Sequence, residues 1–90
     1  MKLLNLKKLI KSYKTQAKTK WAIKEDMSNM YLADANDAEA IYSFITENRM
    51  KTASKYLSRL DTIVREAVCV AIAEDKGNDF LVENFGWSVK

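Results

Sequence analysis

Hydrophobic positions dominate the stretch TASKYLSRLDTIVREAVCVAIAED, residues 52–75. Ala53, Tyr56, Leu57, Leu60, Ile63, Val64, Ala67, Val68 and Ala71 recur at the i, i+3, i+4, i+7 spacing of one helix face. Lys55, Arg59, Thr62 and Glu66 fall on the other side, and from Ala67 to Ala73 no charge occurs. This pattern predicts a central helix over 52–75 that enters a core and is covered on all sides near its end, with Leu60, Ile63, Val64, Ala67, Val68 and Ala71 mostly buried. Thr52 has the chemistry of an N-cap, and Gly77 stands where a helix-ending glycine belongs.

The rest of the chain is organised by the same period. Leu6, Ile10, Tyr13, Ala17 and Trp21 mark an amphipathic helix from Met1 to about Trp21, extending through Ile23, Met27 and Met30 to Leu32. The alternative for Thr19–Lys24 is a short extended piece, because Trp21 and Ile23 alternate with polar neighbours. A break is expected over Ala33–Asn36, with Asn36 as cap and Glu39 three residues on, as in a capping box. The helix so started, 36–49, would bury Ala38, Ile41, Phe44 and Ile45. After the central helix, EDKGND reads as a turn, and Asn78 or Asp79 would cap a short helix over 78–86. The competing reading is a C-terminal β-hairpin, in which Val68, Val70 and Ile72 alternate and DKGN turns. The alanines at 67, 71 and 73 and the unbroken helical phase from Ala53 oppose it.

Composition agrees with the helical reading. The 90 residues make one domain with one modest core. They contain no proline and two glycines, which favours uninterrupted helices over a turn-rich β protein. The fold class expected is all-α: a small bundle of three to four helices around 52–75, with an α+β form carrying the hairpin as the minor alternative. The longest uncharged runs are far shorter than the roughly 20 residues of a membrane span. Lysines interrupt the first apolar run before a signal-peptide core can form. A soluble, cytoplasmic protein is the expectation. The single cysteine, Cys69, lies in the most apolar stretch and reads as a buried small hydrophobe.

Charge changes the picture most. The net +3 conceals a segregation: residues 1–24 hold eight lysines and no acid, while 25–90 hold seven Lys or Arg and all twelve acids. Lys7, Lys11, Lys14 and Lys18 form a stripe on the first helix, widened by Lys8, Lys20 and Lys24, and these seven are the candidate partner-binding residues. Lysines along a helix suit an acidic protein or the phosphates of a nucleic acid, and less well an anionic membrane surface. The bland reading is a solvated face. Base-specific readout is disfavoured, since the segment has no Arg and no Asn or Gln cluster. Tyr13 and Trp21 could stack on bases, but they share the apolar face and are better assigned to the core.

Catalytic chemistry is poorly supplied. Without histidine there is no imidazole base and no Ser-His or Cys-His pair, and one cysteine cannot build a zinc site. Two isolated glycines make no phosphate loop. Asp34, Asn36 and Glu39 lack the order of a calcium loop, and Glu74 with Asp75 beside Lys76 reads as a solvated helix end. No enzyme, cofactor, metal or small-molecule substrate is expected. The function expected is a non-enzymatic helical interaction protein that binds and modulates or inhibits a macromolecular partner. A protein is preferred over nucleic acid as that partner, and a homo-oligomer is compatible with the sequence. In overall style the chain is similar to the small regulators made by phages and other mobile elements, which would place it in the host cytoplasm; no stretch carries a family signature.

Overall fold

The computed structural model describes residues 3–18 and 25–89. Within them the chain is all-α, with five helices and no strand: α1 Leu4–Ala17, α2 Glu25–Thr46, α3 Met50–Ser58, α4 Thr62–Lys76 and α5 Asn78–Phe85. Packing runs round a ring. α1 lies on α2 and α4, α2 on α3, α3 on α5, and α5 on α4. The interior of the ring is filled by Leu3, Leu6, Ile41, Ile45, Leu57, Val68, Ile72 and Leu81, all fully buried.

Each junction has a local cause. α2 ends in a Schellman turn: Asn48 takes φ 59°, its N–H donates to the Ile45 carbonyl at 3.0 Å, and the Arg49 N–H donates to the Phe44 carbonyl at 2.7 Å. Asparagine is among the few side chains that accept this left-handed conformation readily. The Arg49 guanidinium then stacks 5.3 Å from the Phe44 ring, closing the same turn. Between α4 and α5 the single residue Gly77 reverses the chain at φ 94°, ψ 152°, a region that only glycine occupies without strain. Its N–H donates to the Ala73 carbonyl at 2.8 Å.

The helix expected over 52–75 is two helices. α3 starts earlier, at Met50 with Arg49 in the cap position, so Thr52 is not a cap. It closes with tight bonds from Arg59 N–H to the Tyr56 carbonyl and from Leu60 N–H to the Leu57 carbonyl. Asp61 is extended, at φ −52° and ψ 146°, and its carbonyl accepts the Arg65 N–H to begin α4. The buried positions keep their helical spacing across the break, but Ile63 falls off the inner face. Leu60, Val64, Val68 and Ala71 are buried as the spacing predicts, Ala67 is half-buried, and Ile63 stands 82% exposed.

Three further boundaries differ. The expected break over 33–36 is absent: Asn36 is an exposed residue inside α2, whose buried face is Ala35, Ala38, Ile41 and Ile45. The small alanines let α1 approach closely, and that packing holds the helix through a sequence rich in capping residues. The first helix stops at Ala17, not Trp21, and the expected extension or extended piece over 19–24 lies outside the described residues. Lys7 with Tyr42 and Tyr13 with Asp34 run in opposite senses along α1 and α2, so the two are antiparallel and 1–32 is not one helix. At the C-terminus 68–76 is helical, which removes the hairpin. Gly77 precedes α5, while the Asn78 side chain accepts the Val89 N–H at 2.9 Å instead of capping.

Candidate partner-binding surface

α1 is built from good helix formers over most of its length, but it has no local cap: Leu3 occupies the cap position and no side chain there can accept a hydrogen bond. The acceptor comes from the other end of the chain. The Asp75 carboxylate takes the Asn5 N–H at 2.8 Å and the Leu6 N–H at 3.0 Å. Leu6, Ile10, Tyr13 and Ala17 seal the inner face of α1 in the core. Its outer surface is thereby fixed in orientation.

Lys7, Lys11, Lys14 and Lys18 are all exposed. At about 100° per residue they fall within roughly 60° of the helix circumference, on the side toward α2. Two of them have partners. The Lys7 ammonium lies 5.5 Å from the centre of the Tyr42 ring, and Lys14 pairs with Glu39, both side chains being about half exposed. Such exposed pairs contribute little to stability; they orient the two lysines, and the Glu39 carboxylate offsets one of the four charges. Lys8 points elsewhere, into a groove shared with Leu9, Val70 and Glu74 between α1 and α4. Lys20 and Lys24 lie outside the described residues. Tyr13 is buried, and burial together with the nearby Asp34 charge raises its pKa, so it offers no ring for stacking.

The fold also assembles an acidic notch that the sequence reading did not anticipate. Asp34 and Asp37 from α2 meet Asp61 of the α3–α4 junction, with Tyr56, Arg59, Leu60 and Val64 around them. The Tyr56 hydroxyl donates to Asp37 Oδ1 at 2.8 Å. Burial raises the pKa of Asp34, and the charges of Asp37 and Asp61 push it in the same direction. The i, i+3 spacing of Asp34 and Asp37 places them on one face; only the break before α4 brings Asp61 to them. Among the described residues no group of His, Cys, Asp or Glu is arranged to hold a metal ion.

A second cleft, between α4 and the C-terminal segment, is lined by Arg65, Glu66, Cys69, Val70, Trp87, Ser88 and Val89. The Arg65 guanidinium stacks 4.4 Å from the Trp87 ring. Cys69 is a buried free thiol whose pKa is raised chiefly by burial. No helix among the described residues is long and apolar enough to cross a membrane.

Comparison with protein-family models, curated proteins and solved structures finds no match.

Proposed function

We propose that this chain is a non-enzymatic interaction protein that docks on an acidic macromolecular partner through the lysine face of α1, and modulates or inhibits it in the manner of small phage-type regulators. The observation that carries the reading is the grouping of Lys7, Lys11, Lys14 and Lys18 on one exposed face of a helix whose inner face, about a quarter turn round, is locked in the core. Such a face attracts negative charge at a distance and presents it to a fixed surface. A protein partner is favoured over nucleic acid because Tyr13 is occupied in the core and the face has no arginine for base edges.

The test is a variant with all four lysines changed to Gln, whose helix propensity is close to that of Lys. Circular dichroism should stay the same, and association with the native partner, taken by pull-down from the native source, should slow in a salt-dependent way. Binding that instead loses about 0.9 of log–log salt slope per lysine removed would assign the face to nucleic acid. Wild-type affinity at low salt, where screening is least, would reject the reading.

A further inference from the structure

Ile63 is 82% exposed and Val70 is 40% exposed, and both lie on the outer side of α4. Seven residues apart, they sit two turns from one another on a common line, about 10.5 Å along the axis. Neither intrahelical propensity nor packing within the chain accounts for them, since β-branched residues are slightly unfavourable in helices. Val70 is shared by two grooves. One lies toward α1 and is floored by Leu9, Ala67 and Ala71; the other lies toward the C-terminal segment and is walled by Cys69, Trp87 and Val89. The outer side of α4 is thus an apolar ridge with an apolar groove on either flank, which is the shape that a second helix packs against.

The charges bordering this surface point to its occupant. Lys8 and Glu74 stand at one groove, and Arg65 and Glu66 at the other. Two cations balance two anions, and each groove carries both signs. A two-fold contact sets a surface against its own copy, so it must not repel itself. Two copies of the α1 lysine face would repel, whereas two copies of this one meet without net charge and with opposite signs available to pair. We infer that the ridge of Ile63 and Val70 is the seam of a homodimer, each ridge seated in a groove of the other copy. This inference does not depend on the lysine face, which lies on the far side of α1 toward α2 and remains open in such a dimer.

Sedimentation equilibrium of the purified chain, from micromolar to millimolar concentration, tests it. The wild type should follow a monomer–dimer equilibrium. Ile63→Gln, at a position too exposed to matter for folding, should raise the dissociation constant by about a hundredfold, because both copies lose a buried isoleucine. Val70→Gln should act in the same direction, with circular dichroism unchanged in both variants. A wild type that stays monomeric throughout overturns the inference. So does an Ile63→Gln chain that dimerises as the wild type does, or a dimer weakened only by substitutions in the α1 lysine face.

Discussion

The Asp75 carboxylate accepts the backbone N–H of Leu6 at 3.0 Å, and so caps a helix that begins some seventy residues earlier in the chain. A helix N-terminus leaves four N–H groups without intrahelical partners and carries a partial positive charge. Asp75 answers both at once, from the last turn of α4. Asp75→Ala should therefore destabilise the protein by about 1–2 kcal/mol, the usual range for loss of a cap. Denaturant unfolding measures it. Glu74→Ala, one residue away and exposed, should stay within about 0.5 kcal/mol. Equal effects at the two positions would remove the cap from the account.

The split of the 52–75 stretch gives a second contrast. Leu57 is fully buried at the end of α3, and Leu57→Ala should cost about 2–5 kcal/mol. Ile63→Ala, measured at a concentration where the chain is monomeric, should change stability by less than about 0.5 kcal/mol. One continuous helix with Ile63 on its inner face would make both substitutions expensive.

Asp34 titrates against the fold. Its pKa is raised by burial and by the charges of Asp37 and Asp61, so the folded state binds its proton more tightly than the unfolded chain does. Between the unfolded and folded values stability must fall as pH rises. Asp34→Asn should therefore be more stable than wild type at neutral pH. The advantage should vanish on acidification below the ordinary carboxylate range, where both states of the wild type are protonated. Thermal melts of the two proteins across that range decide it; a variant less stable than wild type at neutral pH contradicts the assignment.

Cys69 is buried and its thiol pKa is raised by that burial, which lowers the fraction of reactive thiolate. A disulfide reagent at mildly alkaline pH should modify it slowly in the folded protein and quickly in denaturant. Comparable rates in the two states would show that the inner side of α4 is open.

The helical class was legible in the sequence because periodicity, the absence of proline and the scarcity of glycine all agree on it. The turn at Gly77 was legible for the same kind of reason, since a glycine after an apolar helix has a local cause. The break at Asp61 was not. Leu57, Leu60, Val64 and Val68 keep three- and four-residue spacing straight across it, and a pattern that survives a break cannot reveal one. The Asp-Thr pair at 61–62 was the available hint, of the cap type that also appears at Asn36, where no break exists. Tertiary packing decides between two such sites. The lysines were visible as a stripe because four of them repeat at helical spacing on an element with a clear inner face. Spacing already sets Lys8 about 100° round from Lys7, but the groove it lines was not visible because α4 makes the other wall. The acidic notch was invisible, since Asp61 reaches Asp34 only through the break.

The cap on α1 also orders events in time. During synthesis α1 leaves the ribosome long before Asp75 exists, and a 14-residue helix without a cap or a packing partner is marginal in water. α2 is made before α4 and covers part of α1, but the N–H groups of Asn5 and Leu6 wait for α4 and its carboxylate. Until then the first turn of α1 leaves those donors to water. One carboxylate of α4 is thus what closes the first turn of α1 onto the rest of the fold.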